Sequence, residues 1–148
     1  MLTTPILFLG ALAASVFAAP AEKRAAAVIE GVQWKASNFT RPCTATVCSF
    51  NFVISVIASG TTTNVPCVFT DSAPANASTH SFSDIPCAAP SSAWHINWGY
   101  NPNGDFAVMT VVNTVASQDA FFGYDQVAKA TSFKDVGPES VYALGTFS

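Results

Sequence analysis

Two stretches of this chain alternate between apolar and polar side chains, and they constrain its fold more than any other feature. In Cys48-Ser49-Phe50-Asn51-Phe52-Val53-Ile54-Ser55-Val56, the Phe50, Phe52, Ile54 and Val56 side chains fall on one face, and Ser49, Asn51 and Ser55 on the other. In Trp94-His95-Ile96-Asn97-Trp98-Gly99-Tyr100, the Trp94, Ile96, Trp98 and Tyr100 side chains share a face. A period of two sets one face against a core and the other against water, which describes a half-buried strand.

Turn chemistry joins such segments. Asn101-Pro102-Asn103-Gly104-Asp105 combines a proline that presets a bend with an Asn-Gly pair that accepts positive φ. Phe106–Val112 then returns as the second arm of a hairpin. Gly60 and the threonines after it mark another hairpin. Further strands are expected near Ile29–Ala36, Thr62–Phe69, Thr79–Phe82, Ala120–Tyr124 and Ser140–Phe147, and one helical turn over Asp125–Thr131. No long segment repeats at 3.6 residues. About seven or eight short strands between turns predict an all-β fold, an antiparallel β-barrel or β-sandwich. One-sided burial makes the sheet antiparallel.

The amino terminus sets the compartment. Leu2–Phe17 is largely apolar and ends in Val16-Phe17-Ala18-Ala19, with small residues where a signal peptidase cuts. We read 1–18 as a signal peptide cut after Ala18 and 19–24 as a short pro-segment ending in the dibasic Lys23-Arg24. Residues 25–148 form a single β domain, secreted and extracellular, with no membrane segment in the mature form. The apolar run is short for a membrane span, which wants about 20 apolar residues. The mature part carries four basic side chains (Lys35, Arg41, Lys129, Lys134) against eight acidic ones. Binding to nucleic acid draws on clustered Lys and Arg, and none cluster here, so no nucleic-acid partner is expected.

Four cysteines, Cys43, Cys48, Cys67 and Cys87, form an even set in a small exported chain and read as two disulfides. Of the three pairings, Cys43–Cys48 with Cys67–Cys87 is preferred because both then close short loops. The spacing lacks the C-x-x-C knuckle of a zinc site, so no metal is expected. Asn38-Phe39-Thr40 and Asn76-Ala77-Ser78 are N-glycosylation sequons. Asn76 lies in a Pro-, Ser- and Ala-rich stretch that reads as loop, whereas Asn38 sits near a strand end.

Catalytic motifs are thin. Neither G-x-S-x-G nor H-E-x-x-H occurs. His80 and His95 are the only histidines and are not expected to meet. Asp71, Asp84, Asp105 and Asp119 are the candidates for a carboxylate pair in glycoside hydrolysis, but pairing is a spatial property. Asp71 and Asp84 read as turn residues capping their own backbone. Trp94 and Trp98 either fill the core or line a ligand-binding face; the core is the expectation, because each aromatic buries a large apolar area.

The order of elements carries a resemblance. A signal segment and Lys23-Arg24 precede the strand Gly31-Val32-Gln33-Trp34-Lys35-Ala36-Ser37-Asn38-Phe39. Cys43 and Cys48 lead into Phe50-Asn51-Phe52-Val53-Ile54, and Pro66-Cys67-Val68-Phe69-Thr70 is followed by Ile85-Pro86-Cys87. The chain thereby resembles the AA1-like small secreted proteins of ascomycetes, related to the major Alternaria allergen, although no cysteine follows Cys87 here. The resemblance implies a compact secreted β-barrel associated with host interaction, as an effector, elicitor or allergen, with no catalytic residues and no cofactor. The leading expectation is a non-enzymatic interaction protein whose partner is a host or cell-wall component. Two alternatives are a barrel carrying a small apolar or phenolic ligand against Trp94 and Trp98, and a wall-polysaccharide hydrolase.

Overall fold

The computed structural model describes residues 26–145. The signal segment 1–18, the pro-segment 19–24 and the processing residues Ala18, Lys23 and Arg24 lie outside the described residues. Eight strands run in chain order: β1 (Val28–Thr40), β2 (Val47–Ala58), β3 (Thr61–Ser72), β4 (Phe82–Pro86), β5 (Trp94–Asn101), β6 (Phe106–Asn113), β7 (Gln118–Asp125) and β8 (Val136–Ala143). They form one antiparallel sheet in the order β3-β2-β1-β8-β7-β6-β5-β4, which curls into a nearly closed barrel. Ala77–Thr79 makes a single 3₁₀ turn.

The expected alternation places the core. Phe50, Phe52 and Ile54 of β2 are fully buried, as are Ile96 and Trp98 of β5, while their polar neighbours face out. β2 and β3 pair without interruption from Val47↔Ser72 to Ala58↔Thr61. Their turn, Ser59-Gly60, has positive φ at both residues, so the strand twist is continued by a type I′ geometry that glycine adopts without a Cβ penalty. At the β5–β6 hairpin the positive φ falls on Asp105 rather than on the Asn103-Gly104 pair. Gly104 serves there by size, since a Cβ would come within 2.9 Å of the Phe106 ring.

Several expectations are corrected. The fourth strand is Phe82–Pro86, not 79–82, because 77–79 is spent on the 3₁₀ turn. Of the expected helical turn over Asp125–Thr131, Asp125 ends β7 and the residues after it form a turn with no helix. The last strand begins at Val136, four residues earlier than expected. Asp71 and Asp84 sit in β3 and β4, not in turns.

Two irregularities reset the inward parity. Between Ser37 and Thr40 the β1–β2 register shifts, with Asn38 at φ 54. One extra residue flips the face. Trp34 and Ala36 point inward before the bulge, and Phe39 and Arg41 after it. In β4 the same device at Asp84, φ 61, puts Phe82 and Ile85 on one side.

The seam between β3 and β4 is held differently from the other strand pairs. Among the described residues one backbone bond crosses it, from Ala88 N–H to the Val68 carbonyl at 2.8 Å. The disulfide Cys67–Cys87 spans it, and the Phe69 and Phe82 rings pack across it with centroids 5.6 Å apart. The second disulfide, Cys43–Cys48, closes the β1–β2 connection.

Candidate functional site

One end of the barrel is sealed by a charged side chain that the sequence reading did not single out. Arg41 is 1% exposed. Its guanidinium lies 5.1 Å from the centroid of Trp98, 5.6 Å from Phe133 and 5.8 Å from Phe50, within cation–π range. Nη1 donates to the Ser78 carbonyl at 3.2 Å, and Nη2 donates to the buried carbonyl of Val127. The Arg41 backbone N–H donates to the Thr131 carbonyl at 2.8 Å. One residue thus ties β1 to both loops that cover this end. Burial lowers the pKa of the guanidinium, and the fields of Asp105 and Asp71 partly restore it. Among the described residues no carboxylate forms an ion pair with it. The ligand of this cation is therefore aromatic surface and backbone carbonyl, an arrangement that locks loops.

The interior above Arg41 is filled. Trp34, Phe39, Phe50, Phe52, Trp98 and Phe122 are fully buried, and Trp94 is 8% exposed. Phe39 touches five rings, Phe50, Phe52, Trp98, Tyr124 and Phe133, at centroid distances from 4.6 to 5.9 Å. Trp94 packs edge-on against Trp34 at 4.8 Å. Trp94 and Trp98 are thus core residues whose rings meet other rings.

The candidate acids are engaged separately. Asp71 is buried and meets Nδ1 of His80 at 2.8 Å, fastening the loop after β3. Asp84 meets Nδ1 of His95 at 2.6 Å on the surface. The two histidines do not meet; each has an aspartate partner, which sequence separation gave no means of seeing. Asp105 accepts the Ala128 N–H at 2.9 Å. Asp119 has a buried Oδ1 that finds no hydrogen-bond partner among the described residues, and burial raises its pKa. A folded pKa above the unfolded value means that the proton favours the fold. Its contribution is present below the unfolded pKa and is lost as pH rises through the folded one. Asp119→Asn should therefore melt higher than the parent at pH 7, and the difference should close in acid. Thermal scans at the two pH values check this; an Asn variant that melts lower at pH 7 would show that the carboxylate has a partner.

Asn38 and Asn76 are both exposed at positive φ, one in the β1 bulge and one before the 3₁₀ turn. The Asn38 N–H donates to Asp135, whose carboxylate also pairs with Lys35 at 2.9 Å. Among the described residues no three His, Cys, Asp or Glu side chains gather as a metal ion would need.

What remains accessible is the outside of the barrel. Register sets Gly99, Val108 and Gly123 side by side across β5, β6 and β7, and Asn97, Thr110 and Phe121 in the next row. Val108 is 38% exposed and Phe121 46%, and Phe121 meets the Tyr142 ring of β8 at 5.9 Å. Beside them a shallow groove of about 440 Å³ is walled by Ser81, Ser83, Asn97 and Thr110. These two rows carry no charge, while Asp119 and Asp125 stand at their margins. Nothing in the alternation marked this face as special; exposed Val and Phe at polar-face positions of β6 and β7 were the available signal.

A family model described as Effector TSP1 matches residues 35–146. No curated protein matches the chain.

Proposed function

The chain belongs to the Effector TSP1 family, and on that premise we propose that it is a secreted, non-enzymatic effector that recognises a host or cell-wall component with its outer surface. The carrying observation is the filled barrel: with Trp34, Phe39, Phe50 and Trp98 packed inside, the interior is occupied by the protein's own side chains. Recognition then falls to exposed groups. The uncharged rows around Val108 and Phe121 are suited to it, because apolar side chains with a polar margin are the usual anatomy of an interface. Export behind residues 1–18 and processing at Lys23-Arg24 deliver residues 25–148 as one stapled β domain, with glycans at Asn38 and Asn76. The aromatic first strand and the order of the four cysteines further support kinship with the AA1-like proteins, including their allergen-like members.

The test is a double variant, Val108→Asp with Phe121→Asp. Both side chains point outward, so the fold and melting temperature should change little. Retention on host extracellular extract should fall by about tenfold or more, since interface anchors carry most of the binding energy. Retention equal to the parent's would move the recognition site off this face.

A further inference from the structure

β7 keeps company with β8 for only two residue pairs, Gln118↔Ala143 and Asp119↔Tyr142. From Ala120 to Asp125 it has no strand partner on that side among the described residues. The chain preceding β8 is drawn away to β1 instead: Phe133 N–H donates to the Phe39 carbonyl at 2.9 Å, and Thr40 bridges Ser132. The wall opens there into a cleft of about 420 Å³, whose polar lining is Tyr124, Asp125, Gln126, Ser132 and Lys134, with Phe133 and Val136 as apolar contacts. A second cleft, of about 480 Å³, lies across a wall formed by Gln126 and Ala130, and holds Asp105 and Lys129.

Three observations fix the chemistry. Each cleft holds one Asp and one Lys, so neither an anion nor a cation is favoured overall. The lining mixes hydroxyl, amide and ammonium donors with carboxylate and amide acceptors beside a partly exposed aromatic ring. Tyr124, on the wall of the first cleft, is 5% exposed, and among the described residues its hydroxyl has no hydrogen-bond partner. Burial pushes its pKa up, so it stays protonated and able to donate. A buried donor without a partner is costly, and because the atom is closed to solvent a ligand oxygen would reach it only where the cleft wall parts.

We propose that the twin clefts flanking Gln126 and Ala130 bind a neutral oligosaccharide, one sugar unit to each side of that wall. Polyhydroxyl rings offer donors, acceptors and an apolar face together, which is what the lining asks for. This site is separate from the Val108–Phe121 face, and either can fail without the other.

The experiment is a titration of the protein, expressed from its full chain, with chitohexaose, laminarihexaose and cellohexaose in turn, followed by backbone amide NMR. At least one should give saturable shifts at Gln126, Ala130 and Lys134. Ala130→Leu, which thickens the shared wall, should abolish them. Lys134→Ala should weaken binding by about tenfold, the worth of one hydrogen bond to a charged group. Melting curves for both variants should match the parent's, which separates lost binding from lost folding. No shifts with any of the three at millimolar concentration, or shifts that survive Ala130→Leu, would overturn the proposal. Tighter binding of polygalacturonate or chitosan than of every neutral oligomer would also overturn it.

Discussion

Arg41→Ala is expected to lower the free energy of unfolding by about 3–5 kcal/mol, combining a cavity among the rings with two carbonyls left without donors. The loss should be global, because the guanidinium joins β1 to the Ser78 and Val127 loops at the sealed end of the barrel. Arg41→Met separates the two causes. Methionine refills the space between Trp98, Phe133 and Phe50 and brings no buried charge, so it should lose less than half as much as alanine. Urea unfolding of the three proteins gives the comparison. If methionine loses as much as alanine, the carbonyl bonds outweigh the packing. If alanine loses less than about 1 kcal/mol, an ordinary surface-sized effect, Arg41 is not the lock described here.

Removing the seam disulfide is the second large effect. Cys67→Ala with Cys87→Ala should cost about 3 kcal/mol by the constraint on the unfolded chain, against about 2 kcal/mol for Cys43→Ala with Cys48→Ala. The sequence separations are 20 and 5, so the longer loop gives the larger entropic effect. The location adds to the difference. Cys67–Cys87 clasps the two edge strands where backbone bonding is sparse, and freeing them would expose unpaired strand edges that invite association. Calorimetry should show the seam variant melting lower and aggregating on heating, while the other remains reversible. Single Cys67→Ser and Cys87→Ser variants should melt like the seam double variant. Parent-like melting of either single variant would mean that the bond contributes nothing.

The parts of the fold that were legible in the sequence are those governed by local periodicity. Phe50, Phe52, Ile54, Ile96 and Trp98 were readable as core because they alternate without interruption. The all-β antiparallel class followed from them and from the turns at Gly60 and at Asn101–Asp105. What escaped was set by bulges and long-range contacts. The positive φ of Asn38 turns Phe39 and Arg41 inward, and Asp84 does the same for Ile85; alternation read straight through these positions gives the wrong face. The 3₁₀ turn displaced the fourth strand, since a Ser- and Thr-containing segment serves a turn as readily as a strand. Arg41 stood in the sequence as one of four basic side chains beyond residue 24, with no nearby acid to suggest burial. Its partners, three rings and two carbonyls, come together only when distant loops cover the barrel end. The aspartate–histidine pairs and the splay of β7 from β8 are likewise products of register.

The proposed function requires that the chain act through its exterior while its interior only holds the shape. The most direct measurement is a dose–response of host tissue to three purified proteins: the parent, Val108→Asp with Phe121→Asp, and Arg41→Met, all at a temperature where each is folded. The face variant should lose the response although its melting temperature is kept, and Arg41→Met should keep the response although its stability is altered. A fully active face variant beside an inactive but folded Arg41→Met would contradict it and place the activity inside the barrel.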